Sequence, residues 1–297
     1  MMTRRQLGQG LGAAVLLLGS NRLARATIDG GGAFGWLGDE FARIETESGG
    51  RLGVAALDTH TGQRAGHRAD ERFPICSTFK LLASAAILAR VDAGQESLDR
   101  EVAIRKEDIV TYAPVTEKHV GGSMPLARVC EAAVTLSDNT AGNLLLAALG
   151  GPGALTSYAR SLGDEVTRLD RIELALNEAA PGDPRDTTTP AAMAGDLHAL
   201  LVGNALTPRS RDQLTAWLIA SKTGAARLRA GFPAGWRIGD KTGTCNDFTA
   251  GDVGIAWPPQ GAPVIIAAYL KETEAPPKRR DETFAAVARA IAPALKG

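Results

Sequence analysis

Trp236-Arg-Ile-Gly-Asp-Lys-Thr-Gly-Thr244, Ala250-Gly-Asp-Val-Gly-Ile-Ala-Trp257 and Val264-Ile-Ile-Ala-Ala-Tyr-Leu270 follow one another near the end of a 297-residue chain. Short breaks rich in Gly, Pro and polar residues separate them, so they read as three consecutive strands joined by tight turns. Working outward, a helix from Glu282 to about Leu295 is expected to close the chain. At the other end, Phe34, Leu37, Phe41 and Ile44 recur at helical spacing and Ser48-Gly49-Gly50 stops that helix. Leu52 to Asp58 and the stretch after the Asp58-Thr-His-Thr-Gly62 turn read as a β-hairpin. Between these ends the signals are almost all helical, with a strongly apolar helix over residues 77–91 and Gly/Pro punctuation after it. Early and late strands around a helical middle predict an α+β fold. One antiparallel sheet is flanked by N- and C-terminal helices, an all-helical lobe stands beside it, and a cleft between the lobes offers the place for a ligand.

Composition narrows the function. The chain is 44% hydrophobic and 22% charged, ordinary for a soluble globular protein. Its 33 basic and 33 acidic residues cancel, which argues against nucleic acid as a partner, since that needs a basic face. Arg4 and Arg5 precede an apolar stretch from Leu11 to Gly19, and Ala24-Arg25-Ala26 follows as a small-x-small cleavage site. The stretch is too short to span a bilayer, which takes about 20 residues, so residues 1–26 read as a signal peptide removed after about Ala26, without stable membrane insertion. Thr3-Arg4-Arg5-Gln6-Leu7 also looks like a twin-arginine export signal. The destination is periplasmic or secreted.

Of three cysteines, Cys76, Cys130 and Cys245, an odd count in an exported chain predicts one bridge and one leftover thiol. Cys130 falls on the apolar side of a helical segment and suits a buried small hydrophobe. With no CxxC or HxH and four scattered histidines, no metal site is expected.

Three short motifs carry chemistry. Ser77-Thr78-Phe79-Lys80 opens the apolar helix, and three residues is about one turn, so hydroxyl and amine share a face. A serine hydroxyl needs a base nearby, and a lysine serves once burial depresses its pKa. The bland alternative is a serine cap followed by a solvent lysine. Ser137-Asp138-Asn139 lies between helical segments 126–136 and 140–149, with Asp138 placed to cap the second. Lys241-Thr242-Gly243-Thr244 lies in a strand and offers a cation, hydroxyls and backbone beside a glycine that lets another group approach. Each is weak alone. Together and in this order, S-x-x-K, S-D-N and K-T-G form a specific set.

On these motifs the chain resembles a class A serine β-lactamase over essentially its whole mature length. The resemblance implies that residues 27–297 form the catalytic domain, with an α/β lobe of 27–69 and 221–297 and a helical lobe of 70–220. It adds Glu173-Leu-Ala-Leu-Asn177 as the family's E-x-x-L-N segment on an Ω-loop closed by an Arg171–Asp186 pair. Tyr112 then matches the aromatic wall of the cleft, and Arg227 an arginine that supports binding of the substrate carboxylate. The implied roles are Ser77 as nucleophile, Lys80 or Glu173 as its base, and Ser137 as proton relay. The backbone of Ser77 and Thr244 makes the oxyanion hole, and Glu173 with Asn177 activates the deacylating water. Asn139, Arg227, Lys241, Thr242, Gly243 and Thr244 hold the substrate, a small β-lactam, with no cofactor and a monomeric chain. Penicillin-binding peptidases and β-lactam sensors share the first three motifs but release the acyl group slowly, so Glu173 separates the lactamase from both. Cys76 and Cys245 each flank a motif and are expected to pair. That bridge resembles the one in class A enzymes that hydrolyse carbapenems. The family's other partner position for Cys130 falls at Ser84, so that bridge is not available.

Overall fold

The structure, a computed structural model, describes residues 34–246 and 248–295. The expected signal peptide lies outside the described residues. Helix α1 (Leu37–Ser48) buries Leu37, Phe41 and Ile44 and ends on Gly49 at φ 69°, a left-handed cap that glycine adopts without steric cost. Strands β1 (Arg51–Asp58) and β2 (Arg64–His67) form the expected hairpin. After β3 (Phe73–Pro74), a 3₁₀ turn over Cys76–Thr78 leads into α2 (Phe79–Asp92). Every residue from Phe79 to Leu88 is buried, as befits a helix that is apolar all round.

The middle of the chain contributes β4 (Glu101–Ala103), β5 (Ser123–Pro125), α3 (Leu126–Thr135), α4 (Asn139–Leu149) and α5 (Pro152–Ser161). It continues with β6 (Thr187–Thr188), α6 (Pro190–Leu201), α7 (Pro208–Ile219) and the single turn α8 (Leu228–Gly231). The expectation of a purely helical lobe needs correcting, because β3 pairs with β6 and β4 with β5 as short ribbons. These pairs are two or three residues long, too short for a period-2 pattern to show.

Strands β7 (Arg237–Thr244), β8 (Ala250–Trp257) and β9 (Val264–Lys271) fall where expected. The five long strands form one antiparallel sheet in the order β2-β1-β9-β8-β7, leaving β7 on an edge. Both faces of the sheet are covered. Along β9, Val264, Ile266, Ala268 and Leu270 join a core under α1 and α9, whereas Ile265, Ala267 and Tyr269 join the core of the helical lobe. The sheet is thus the shared wall of both halves, and its edge strand β7, buried over residues 239–243, faces the helical lobe's Ser77 turn. Helix α9 (Pro277–Ala294) starts five residues before the expected Glu282. Pro277 sits at the first helical position, where its missing N–H costs no bond, and the basic run behind it reads as a loop by hydrophobic pattern alone.

Candidate active site

Ser77 does not cap the helix. It sits on the 3₁₀ turn, behind Cys76 at φ 46°, a conformation rare for a residue with a β-carbon. Three things hold this turn. Thr78 Oγ1 donates to Ile75 O at 2.5 Å, the hydroxyls of Thr78 and Tyr269 meet at 3.0 Å, and a disulfide joins Cys76 to Cys245 with the Cα atoms 5.2 Å apart. The bridge therefore ties the Ser77 turn to the end of β7, and Cys130 is left as a free, buried thiol pushed up to about 12 by burial.

One turn into α2, Lys80 is fully buried and its ammonium donates to Ser77 Oγ at 2.9 Å, Ser137 O at 2.9 Å and Asn139 Oδ1 at 2.6 Å. The glycine at 142 makes room for it: a β-carbon there would stand 2.8 Å from Lys80 Cε. Ser137 is at φ 58° in the link between α3 and α4, which turns its hydroxyl toward the cleft. Asp138 is the cap of α4, accepting Ala141 N–H at 2.8 Å, and it also takes the N–H groups of Val115 and Thr116. Asn139 Nδ2 donates to Thr111 O at 2.8 Å, which ties the Tyr112 loop to the same helix end.

The fourth motif comes from the loop between α5 and β6. Glu173 Oε1 accepts from Ser77 Oγ at 3.2 Å and lies 3.0 Å from Lys80 Nζ, with both charged side chains sealed from solvent. Asn177 Nδ2 donates to Glu173 Oε2 at 2.5 Å, and Asn177 Oδ1 is buried with no partner among the described residues. Arg171 Nε meets Asp186 Oδ2 at 2.5 Å, and Asp186 Oδ1 accepts the N–H groups of Asp170 and Arg171. Sequence reasoning missed Asn143, on α4, which clasps the backbone of Glu173 from both sides. Its Oδ1 accepts Glu173 N–H at 2.8 Å and its Nδ2 donates to Glu173 O at 2.9 Å. Four residues on from Asn139 it falls one turn further along the helix, the only hint the sequence held.

The opposite wall is β7. Lys241, buried completely, donates to Ser137 Oγ at 2.9 Å and to Thr242 O at 2.7 Å. Gly243 lets the strand close on the Ser77 turn, since a β-carbon there would lie 3.0 Å from Cys76 Cβ and 3.3 Å from Ser77 N. Thr242 Oγ1 bonds Thr223 Oγ1 at 2.6 Å. Arg227 spreads its guanidinium over Gly243 O, Gly251 O and Thr244 Oγ1, while Nε pairs with Asp281 of α9 at 2.7 Å. Asp281 and Thr223 were likewise not legible in the motifs. Ser77, Ser137, Asn139, Asn177, Arg227 and Thr244 are among the residues that line a cleft of about 280 Å³, which the half-exposed Tyr112 also borders.

Burial decides the electrostatics. It lowers the Lys80 ammonium below the ordinary lysine range, against the pull of Glu173, and lowers Lys241 further, where Lys80 adds repulsion. Two amines that give up protons readily thus flank two hydroxyls, Ser77 and Ser137, in a site closed enough to strengthen every charge interaction. A hydroxyl with a base, a second hydroxyl beside a lysine, and a strand edge bearing the hydroxyls of Thr242 and Thr244 suit acyl transfer. Among the described residues no cluster of three His, Cys, Asp or Glu is placed to hold a metal ion.

A model of the β-lactamase enzyme family matches residues 37–295. The chain is 50% identical over 255 residues to β-lactamase AST-1 of Nocardia asteroides, covering 86% of this chain and 82% of that one. It is 48% identical over 248 residues to β-lactamase Toho-1 of Escherichia coli, covering 84% and 85%. A solved structure of the ancestral class A β-lactamase GNCA superposes with a TM-score of 0.86 at 61% identity, over 87% of this chain and 99% of that one. With the fold, the cleft and these relatives in accord, the chain belongs to the class A β-lactamase family, hydrolases that open the β-lactam ring.

Proposed function

We propose that this β-lactamase works through an acyl-enzyme on Ser77 that water, activated by Glu173, then hydrolyses. The observation that carries it is the position of Ser77 Oγ, 2.9 Å from Lys80 Nζ and 3.2 Å from Glu173 Oε1 at once. Lys80 donates to Oγ and Oγ donates to Glu173, so both candidate bases for acylation stand within reach of the hydroxyl. As Oγ attacks the lactam carbonyl, the backbone N–H groups of Ser77 and Thr244 receive the oxyanion; one such donor is worth about 3 kcal/mol of barrier. Ser137, bonded to Lys241, passes a proton to the departing lactam nitrogen. Lys241, Thr242, Thr244 and Arg227 hold the substrate carboxylate, Asn139 its side-chain amide, and Tyr112 the wall beside it. Glu173 and Asn177 then position the water, and no cofactor enters the cycle.

Glu173→Ala tests this directly. With a penicillin it traps a stable adduct on Ser77, seen as a mass shift of the intact chain, while nitrocefin turnover stops after one equivalent. Sustained turnover by that variant removes Glu173 from the mechanism.

The Cys76–Cys245 bridge supports a finer reading, in which carbapenems are among the substrates, because it joins the nucleophile's turn to the oxyanion strand. The basic, apolar and small-residue pattern of residues 1–26 supports export, with a mature chain acting as a monomer in the periplasm or outside the cell. No helix among the described residues is long and apolar enough to cross a membrane.

A further inference from the structure

A second pair of carboxyls, unused by this mechanism, is buried at the neck of the loop that carries Glu173. Asp164 follows α5 and Asp196 lies in α6; they are 6% and 1% exposed. Asp164 Oδ2 and Asp196 Oδ2 are both buried with no hydrogen-bond partner among the described residues, and the two carboxyls lie beside one another. Two ionised carboxylates do not share such a contact, because like charges in a dry interior repel, so one proton lies between them. Asp164 Oδ1 accepts the N–H groups of Val166 at 2.7 Å and Thr167 at 2.9 Å.

Among the described residues no hydrogen bond from another side chain to the Asp196 carboxyl is seen. Arg160 of α5 donates to the carbonyls of Asp164 and Thr167. The Tyr158 hydroxyl, also on α5, is buried without a partner among the described residues, and the Tyr269 hydroxyl of β9 is bonded to Thr78. Burial, with Asp164 beside it, pushes the Asp196 carboxyl up to about 9.

The pair connects to the loop through a closed circuit. Thr167 Oγ1 bonds Thr188 Oγ1 at 2.6 Å and Arg168 N–H donates to Thr187 O at 3.0 Å, which is where the two arms of the loop cross. Thr189 then caps α6, the helix that bears Asp196, through Ala192 N–H. We propose that Asp196 is a positioning residue for deacylation: the proton it shares with Asp164 latches α6 to the neck of the loop and so fixes Glu173 over Ser77. The proposal rests on the role given to Glu173 above.

The sign follows from the direction of the shift. A carboxyl raised in the folded state contributes stability that is fully present below the ordinary carboxyl range and is lost as pH rises toward about 9. There the proton leaves, two buried negative charges face each other, and the latch opens.

Asp196→Asn keeps a donor that never ionises, and Asp196→Leu removes it at similar volume. Penicillin kinetics from about pH 6 to about pH 10, with intact mass of the enzyme during turnover, are measured on both, on the wild type and on Glu173→Ala. At neutral pH, Asp196→Leu lowers kcat and KM together by about tenfold, leaves kcat/KM unchanged and accumulates the adduct, as slowing only the second of two steps requires. Asp196→Asn matches the wild type at neutral pH and escapes the loss of kcat that the wild type shows above about pH 9; because it folds with the donor intact, its profile reads the latch even if the leucine variant is unstable. A wild type flat through the alkaline range, an asparagine variant that falls with it, or a leucine variant losing kcat/KM as much as kcat overturns the proposal alone, provided Glu173→Ala traps its adduct. Failure of Glu173→Ala to trap it overturns the role of Glu173 and this proposal with it.

Discussion

The two walls of the cleft are built by different means. Strand β7 is pinned along its whole length, residue by residue from Arg237 opposite Trp257 to Thr244 opposite Ala250, and the disulfide anchors its far end. The opposing loop, residues 168–186, has one 3₁₀ turn, Ala175–Glu178, and otherwise runs without regular structure. Its shape comes from side chains: Arg171 to Asp186, Asn143 to Glu173, Asp164 to the turn before it. A backbone ladder tolerates loss of a side chain, because the bonds that hold it belong to every residue alike. A loop held by side chains does not. Ser77, Lys80, Ser137 and Lys241 stand on the Cys76–Thr78 turn, α2, the α3–α4 link and β7, whereas Glu173, the acid proposed for deacylation, stands on the loop. Side-chain changes in the loop are therefore expected to strike the second half of the reaction and spare the first.

Arg171→Ala tests that division most severely. It removes the guanidinium from Asp186, a carboxylate 1% exposed, and breaking one side of a buried ion pair costs about 3 kcal/mol. With Glu173 no longer held, kcat falls by about 10³-fold, the worth of a positioned general base. Acylation persists, so kcat/KM changes far less and the adduct accumulates in the mass spectrum. An equal loss in both parameters breaks the division between the walls.

Gly243→Ala attacks the other wall. The added methyl meets Cys76 Cβ at 3.0 Å and Thr78 Cγ2 at 3.2 Å, contacts tight enough to move β7 off the nucleophile's turn. A displacement of this kind costs about 10²-fold in rate. Here kcat/KM falls, because attack on the ring and support of the oxyanion are impaired, and no adduct builds up. The opposite signatures of the two variants would sharpen the contrast; an adduct trapped by Gly243→Ala would erase it.

The same contrast explains what the sequence disclosed. Strands β7 to β9 were legible because each is a continuous run, buried along most of its length and set off by Gly, Pro and polar turns, and Ser77, Lys80, Ser137 and Lys241 because each lies inside a short run whose local geometry sets its spacing. Glu173 and Arg171 were reached only through the resemblance, since a loop shaped by distant side chains leaves no period to read. Asn143 and Asp281 act across 30 and 54 residues of sequence, and nothing local marks them. The positive φ angles at Cys76, Tyr112, Ser137 and Asp186 were silent for a related reason: tertiary contacts, not a glycine or asparagine at the position, impose them.

The smallest effect on penicillin turnover is expected from Cys76→Ser. Closing a loop of 169 residues is worth about 5 kcal/mol as an entropic upper bound, so the variant melts earlier than the oxidised wild type. Catalysis is less exposed to the loss. Thr78 still bonds Ile75 O and Tyr269, Ile75 N–H still reaches Asp186 O at 2.8 Å, and the ladder still holds β7. Nitrocefin kcat/KM should therefore change by less than about tenfold, or 1.4 kcal/mol of barrier. Carbapenems ask more of the site if the bridge matters to them, since their turnover then depends on how firmly Ser77 and the oxyanion strand keep their spacing. Imipenem hydrolysis measured on the oxidised wild type and on Cys76→Ser separates the two demands. Activity in the first and a fall in the second well beyond that for nitrocefin ties carbapenem turnover to the bridge. A wild type inert toward imipenem leaves the disulfide a matter of stability alone, and parallel losses on both substrates make the strand wall as dependent on one covalent link as the loop is on Arg171.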